Sequence, residues 1–454
     1  MTDYRRAGWV PLGVFVVFVA GLLSGRVLEG KGIAQQVETY EELRPFTEVL
    51  NKVQRDYVEE TATRDIVYGA IRGMLNTLDP HSAFMPPDVY KEMQVDTRGE
   101  FGGLGIQIGL KDERLTVIAP IEGTPADRAG VLAGDRIVKI DGTTTKDMTL
   151  MDAVNKMRGA KGTKVTLTIE REGAESPLDV TLVREIIKIQ STKHKVLENG
   201  IGYVRLTQFQ EQTGEDLDRA LDSLRQQRMQ SLILDLRNNP GGLLTAAVEV
   251  SEQFLPKGKV VVSIRGRQGK AEEYTADGAH PILDLPMIVL VNEGSASASE
   301  IVAGAMQDWG RAVVVGTTTF GKGSVQTIIP LSDGSALRLT TAKYFTPKGR
   351  SIQNTGIDPT IVVRNVVKGD VKRQVIRERD LERHLENESV PQAPDESSEP
   401  AEIAPIPDLP REGADPDDDL QLQKAIELLK SWAIFKDYLT PATPPTEASQ
   451  GKDT

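Results

Sequence analysis

Along the chain the apolar positions recur with one of two periods, and the period changes at a few sharp boundaries. Between Glu38 and Glu59, residues Leu43, Phe46, Val49, Leu50 and Val53 return every three or four positions. Between Thr61 and Leu78, so do Ile66, Val67, Ala70, Ile71, Met74 and Leu75. Each set lines one face of an amphipathic helix. Asp79-Pro80 ends the second helix, and His81, a lone histidine, is expected to be structural. From Asp96 to Arg184 the texture changes to short runs punctuated by glycine: GEFGGLGIQIGL, LTVIAP, GDRIVKIDG, KVTLTIEREG and LDVTLVR. Short helical stretches interrupt them around Ala126–Ala129 and in TLMDAVNKMRG. Many short strands between turn residues predict a β-rich domain.

Gly200 to Pro359 alternates between the two periods. A strand at Ile201–Leu206 leads to a helix at Gly214–Gln227 and a strand at Ser231–Leu236. The loop Arg237-Asn238-Asn239-Pro240-Gly241-Gly242, a helix at Leu243–Phe254 and a strand at Val260–Ile264 follow. Then come a strand at Pro286–Asn292, a helix at Ser297–Trp309 and a strand at Ala312–Gly316. Val325–Ile329 and Ala336–Lys343 read as strands across the turn Ser332-Asp333-Gly334. Strands alternating with helices predict an α/β core with helices laid on its sheet. Beyond it, Glu386 to Asp419 holds seven prolines, twelve acids and one arginine. Such a stretch cannot bury a core of its own and predicts a solvated, disordered linker. Leu420, Leu422, Ile426, Leu429, Trp432, Ala433 and Phe435 then mark a last amphipathic helix. It docks either on its own body or on a second subunit, so a homo-oligomer through the terminal helices stays open.

Composition narrows the chemistry. A chain of 454 residues has room for two or three domains. With no cysteine there is no disulfide framework, thiol nucleophile or thiolate metal site. His81, His194, His280 and His384 are scattered and no H-E-x-x-H occurs, which argues against a zinc hydrolase. The net charge of −12 lies almost wholly in the acidic stretch, leaving the folded part near neutral. Charge therefore gives no argument for nucleic-acid binding. At the N-terminus, Arg5 and Arg6 precede a charge-free run of 19 residues, Ala7 to Gly25. This reads as a signal peptide or a membrane anchor. The absence of a clear A-x-A site after it favours the uncleaved anchor. With the arginines cytoplasmic, the rest of the chain is expected in the periplasm or otherwise outside the cytoplasm.

The candidate chemistry lies in Gly294–Gln326, GSASASEIVAGAMQDWGRAVVVGTTTFGKGSVQ. Ser295, Ser297 and Ser299 are all candidate nucleophiles, and spacing does not rank them. Backbone N–H groups at a helix start stabilise an oxyanion. Ser297-Ala298-Ser299-Glu300 also fits a capping box, in which the serine only satisfies a backbone N–H. Lys322 ends Gly316-Thr317-Thr318-Thr319-Phe320-Gly321-Lys322, a match to the phosphate-loop pattern G-x-x-x-x-G-K. Gly323 stands where that pattern needs Ser or Thr, and strands rather than a helix follow, so the nucleotide reading is rejected. A lysine acts as a base when burial lowers it from about 10.4, and an apolar sheet near flanking glycines makes that attainable. Gly241-Gly242, between a buried strand and a helix, can present N–H groups to an oxyanion.

Two resemblances sharpen this reading. Asp96–Arg184 resembles a PDZ domain, and Gly103-Leu104-Gly105-Ile106 resembles the loop with which such domains hold a peptide's terminal carboxylate. The physics suits the task, because glycines leave successive N–H groups unshielded. Leu104, Ile106, Ile108, Val154 and Met157 are expected to line a pocket for the last apolar side chain. GSASASE, NPGG and FGKGSVQ together resemble the carboxyl-terminal processing peptidases, or tail-specific proteases. The likeness runs from about Tyr40 to Asn365 and includes LDPHSAFM. It implies a serine endopeptidase on an α/β crotonase-like core, with an inserted β-rich PDZ domain and an N-terminal helical segment. Within the family motif Ser297 matches the nucleophile, Lys322 the general base and Gln326 the residue that orients the lysine. Ala298 and the Gly241-Gly242 pair match the oxyanion hole, and Asp308 an acidic supporting position. No metal and no cofactor is implied.

The expected domains are 1–30 as signal peptide or membrane anchor, 31–95 as the helical segment and 96–185 as the PDZ domain. The peptidase core spans 186–370, the acidic linker 371–418 and the last helix 419–440. The expected partners are protein substrates with free C-termini, and the membrane through the N-terminal segment. The competing reading is a non-catalytic exported scaffold that binds protein tails through the PDZ domain.

Overall fold

The computed structural model describes residues 41–111, 113–267, 269, 271–278, 281–364, 376–387 and 419–439. The apolar run Ala7–Gly25 and most of the acidic stretch lie outside them. No helix among the described residues is long and apolar enough to cross a membrane. The chain divides into two units, Met1–Leu75 and Asn76–Thr454.

The first unit contributes the helices Arg44–Asp56 and Thr63–Leu75. Pro45 sits in the first turn of the former, where its missing N–H costs nothing. The Leu43, Phe46 and Val49 side chains of that region are exposed.

In the second unit, the segment resembling a PDZ domain closes around a six-stranded sheet. Ile106–Lys111, Arg114–Pro120, Arg136–Ile140, Lys164–Glu170 and Leu178–Val183 lie side by side, with Thr143–Thr144 pairing onto Arg136–Ile140. Alternate residues such as Val165, Leu167 and Ile169 enter its core, as period-two patterning requires. The helices Pro125–Arg128 and Leu150–Met157 flank the sheet. Glu100–Gly103 and Glu185–Lys188 pair as an antiparallel ribbon, so the segment enters and leaves by one two-stranded stalk.

The core carries two sheets. Ile201–Leu206, Ser231–Asp235, Met287–Val291, Val313–Gly316 and Ile361–Val362 run parallel in that order, with Thr192–Val196 antiparallel on one edge. Leu232, Leu234, Val289 and Val291 face one core cluster with the helices Thr213–Gln226, Leu244–Glu252 and Ala298–Asp308. Ile201, Ile233, Ile288 and Val315 face the opposite way, onto Ala425 and Leu429 of the helix Leu420–Leu439. The last helix therefore docks on its own body, covering the second face of a sheet whose strands are apolar on both sides.

Two expectations change. Val260–Gly266, read as a strand of the same helix-covered sheet, joins a separate antiparallel one, beside Ala271–Thr275 and Ala336–Phe345. Ser324–Pro330 and Ala83–Met85, from the LDPHSAFM stretch, pair with Ala336–Phe345 as well. Residues 376–387, expected to begin the disordered linker, are folded against the core. Glu378 is fully buried there, accepting from Gln353 Nε2 at 2.9 Å and paired with His81 Nε2 at 2.8 Å. A buried carboxylate with those partners fixes a segment whose composition alone looks solvated.

Candidate active site

The turn opening the Ala298–Asp308 helix holds Ser297 at φ 54°, ψ −111°. Residues with a Cβ avoid this region unless their surroundings over-determine it. Here they do. Ala296 N–H donates to Asn239 O at 3.0 Å. Ser295 Oγ donates to Leu236 O at 2.8 Å and accepts from Asn292 N–H at 3.0 Å. Ser299 Oγ donates to Asn239 O at 2.8 Å. Ser295 and Ser299 have 0% exposure and their hydroxyls are engaged by backbone, whereas Ser297 retains 7%. Hydrogen bonding thus ranks the three serines that spacing could not.

Lys322 arrives on the loop between Val313–Gly316 and Ser324–Pro330. Flanking glycines let this loop press against residues 353–356. A Cβ on Gly323 would stand 2.4 Å from Gln353 N, and Gly321 adopts φ +97°, which favours glycine. Asn354 N–H donates to Gly321 O at 2.8 Å and Tyr344 N–H to Gly323 O at 2.7 Å, stapling both sides of the lysine. A strand follows Lys322, so the G-x-x-x-x-G-K run opens no helix.

The serine turn and the lysine loop converge on Glu300. Its fully buried carboxylate accepts Ser297 N–H at 2.7 Å and Lys322 N–H at 2.9 Å on one oxygen. The other oxygen accepts Gly321 N–H at 2.7 Å and Thr319 Oγ1–H at 2.5 Å. Burial pushes this carboxyl up to about 7, against the pull of those four donors. In the sequence Glu300 registered only as a capping residue; its second role, across 22 residues of chain to Lys322, has no local signature. Burial also lowers the Lys322 ammonium, and Arg338 adds to the fall, while Glu378, Glu300 and Asp79 oppose it. No hydrogen bond among those of the described residues joins Lys322 Nζ to Ser297 Oγ.

The glycine pair reaches the serine. A Cβ on Gly241 (φ +101°) would meet Ser297 Cβ at 2.9 Å and Ala298 N at 3.0 Å. Gly241 N–H itself donates to Asn239 Oδ1 at 2.9 Å, while Gly242 is exposed. Two expected residues hold other partners. Gln326 Nε2 donates to Ser324 Oγ at 2.9 Å, not to Lys322. Asp308 closes the serine helix at its far end, about 15 Å along an 11-residue helix. There it accepts Lys348 N–H and Arg350 Nη2–H, each at 3.0 Å. Asp308 is thus a helix length from Ser297.

In the PDZ-like unit, Gly103, Leu104, Gly105 and Ile106 line one small pocket with Ile108, Val154 and Met157, closed by Phe101 and Arg158. Gly105 (φ +74°) is forced, since a Cβ would lie 2.3 Å from Thr124 Oγ1.

Comparison with known proteins places this arrangement. The model of Peptidase family S41 matches residues 200–363, the PDZ domain model residues 116–171, and the Activating protease CtpB N-terminal domain model residues 25–89. The carboxy-terminal-processing protease of Bartonella bacilliformis is 44% identical over 426 residues, spanning 91% of this chain and 95% of its own. The carboxy-terminal processing protease CtpA of Bacillus subtilis is 35% identical over 353 residues, spanning 78% and 74%. Among solved structures, a photosystem II D1 C-terminal processing protease is 32% identical, covering 70% of this chain and 92% of its own with a TM-score of 0.42. The chain belongs to peptidase family S41, as a serine peptidase of the carboxy-terminal-processing group that carries a PDZ domain.

Proposed function

We propose that Ser297 is the nucleophile and Lys322 the general base of an endopeptidase that processes protein tails outside the cytoplasm. The observation that carries this reading is the shared anchor: one buried Glu300 oxygen holds the backbones of both Ser297 and Lys322. Neutral Lys322 takes the Ser297 proton as Oγ attacks the scissile carbonyl, giving an acyl-enzyme that water hydrolyses. Ala298 N–H and Gly242 N–H receive the oxyanion, because Gly241 N–H is engaged by Asn239. Gln326 orients the lysine once it releases Ser324. The core that presents these groups is crotonase-like in form. The pocket at Gly103–Ile106 takes the free C-terminus of the substrate as an added strand, which delivers the chain to the site. Arg5, Arg6 and the apolar run after them support anchoring at the membrane.

The test is digestion of casein by the parent, Ser297→Ala and Lys322→Ala proteins. Each substitution is expected to abolish cleavage, while Ser297→Ala changes stability by less than about 0.5 kcal/mol, because the Ser297 hydroxyl makes no cap bond to its helix. Digestion by Ser297→Ala at the parent rate would overturn the assignment. Amidating a peptide substrate's C-terminus is expected to raise KM; equal turnover of amide and free acid would remove the pocket from the mechanism.

A further inference from the structure

The consecutive N–H groups of Gly321, Lys322 and Gly323 are all held by buried side chains. The first two go to Glu300, but Gly323 N–H donates to Gln353 Oε1 at 3.0 Å. Gln353 is 0% exposed. Its amide has one orientation, because Nε2 faces Glu378 Oε1 at 2.9 Å and both Leu385 O and Asn354 Oδ1 at 3.1 Å. Turned over, it would set oxygen against those acceptors and N–H against N–H. Glu378 is fully buried as well, and both its oxygens face His81 Nε2, at 2.9 and 2.8 Å. Glu378 N–H also reaches Phe320 O at 3.2 Å, two residues before the lysine.

The outer end of this chain is fixed too. His81 lies in the LDPHSAFM stretch, to which the proposed mechanism gives no task. Asp79 Oδ1 accepts the N–H groups of His81 and Ser82, each at 2.9 Å, and the Thr340 hydroxyl at 3.0 Å. Arg338 Nε donates to His81 O at 3.0 Å. Arg338 and Thr340 belong to the strand Ala336–Phe345, which pairs with Ser324–Pro330, the strand that follows Lys322. The contacts therefore close a ring, from the lysine loop through Gln353, Glu378 and His81 and back to the lysine's own sheet. We propose that Gln353, Glu378 and His81 are positioning residues for Lys322: Gln353 holds the Gly323 N–H, and Glu378 and His81 hold Gln353. Together with Glu300 they set where the lysine side chain leaves the backbone. A buried polar network with every member satisfied rigidifies what it holds. The relay moves no proton and acts only through the lysine loop.

This inference rests on Lys322 as the base, and its test separates the two. Gln353→Met keeps the length of the side chain and removes both its acceptor and its donor. The expected result is a fall in kcat of about 10- to 100-fold, up to the range for roughly 1 Å of misplacement, with KM nearly unchanged. Labelling of Ser297 by a fluorophosphonate should slow by a similar factor. A purely structural role would lower Tm and leave the pH profile in place. The charged groups that act on Lys322 are Arg338, Glu378, Glu300 and Asp79, and Gln353→Met alters none of them. Burial is the largest cause of the lowered lysine, so a loosened loop that admits water should move the acid limb of kcat/KM to higher pH. The outer end gives a second route if Gln353→Met does not fold. His81→Phe takes the donor from Glu378 and should lower kcat, whereas His81→Gln returns an N–H and should restore it. Parent kcat and acid limb in folded Gln353→Met, or parent kcat in His81→Phe, would overturn the relay. So would a His81→Gln protein no faster than His81→Phe. In each case an inactive Lys322→Ala protein would leave the base standing.

Discussion

Glu300 is the residue on which the chemistry is registered. Four donors face its carboxylate, so Glu300→Gln replaces an acceptor with an amide that must oppose at least one of them. Leaving buried polar groups unpaired costs about 1–3 kcal/mol, and the serine and lysine drift apart. We expect kcat to fall at least about 100-fold, as for roughly 1 Å of misplacement, with KM nearly unchanged; equal kcat in stopped assays would remove Glu300 from the alignment. The same site gives a pH prediction. Lys322 is active when neutral, so kcat/KM rises with pH through its ionisation, and burial places that limb below the ordinary lysine range. Arg338 lowers the lysine and Glu378 raises it. Arg338→Gln should therefore move the acid limb to higher pH and Glu378→Gln to lower pH. Shifts in one common direction, or none, would show that another group titrates.

At the scale of elements, periodicity was informative where one face of a helix or strand decides burial. The helix after Ser297, the parallel strands, the PDZ-like strands and the last helix were all legible. What escaped was pairing between distant segments. Val260–Gly266 has the apolar run of a parallel strand but pairs antiparallel with residues 342–345, a choice that no local pattern encodes. Residues 376–387 looked solvated because Glu378's partners, His81 and Gln353, lie far away in sequence. The candidate site divided in the same way. Ser297 and Lys322 stood out through their small neighbours, whereas Glu300, which holds both of their backbones, read only as a capping residue. Gly105 was visible, and its necessity is now physical: φ +74° and a Thr124 oxygen 2.3 Å from any Cβ. Gly105→Ala is expected to raise KM for a free-acid peptide about 10-fold or more, since αL backbone costs roughly 1–2 kcal/mol before the clash. Fluorophosphonate labelling of Ser297 should be unchanged. A peptide KM equal to the parent's would mean that the loop does not hold the tail.

For the second unit as a whole, the last helix is tied to the active site through one buried cluster. Arg237, 2% exposed, opens the loop that leads to Gly241-Gly242. Its Nε and Nη2 donate to Asp235 at 2.9 and 2.7 Å, and its Nη1 and Nη2 to Asp419 at 2.7 and 2.9 Å. Asp419 is the residue before the Leu420–Leu439 helix, so the helix covers the sheet while the residue preceding it holds Arg237 at the start of the glycine loop. Burial alone would raise Asp235, but Arg237 outweighs it and holds the carboxyl below its ordinary value. The stability this gives is complete above the unfolded value of about 3.9 and is lost as pH falls through the lower folded value. Acid destabilisation of the second unit through this group should therefore set in as pH falls below about 3.9. Asp419→Ala removes two charged hydrogen bonds but leaves Asp235 to neutralise Arg237. The expected loss is about 1.5–3 kcal/mol in urea at pH 7, short of the 3–5 kcal/mol for stripping a buried charge of every partner. If the loop depends on the clamp, kcat falls in the same variant while the PDZ pocket keeps its affinity for a free C-terminal peptide. Unfolding within about 0.5 kcal/mol of the parent would mean that the helix is only laid on the sheet, and that the glycine loop holds its shape without it.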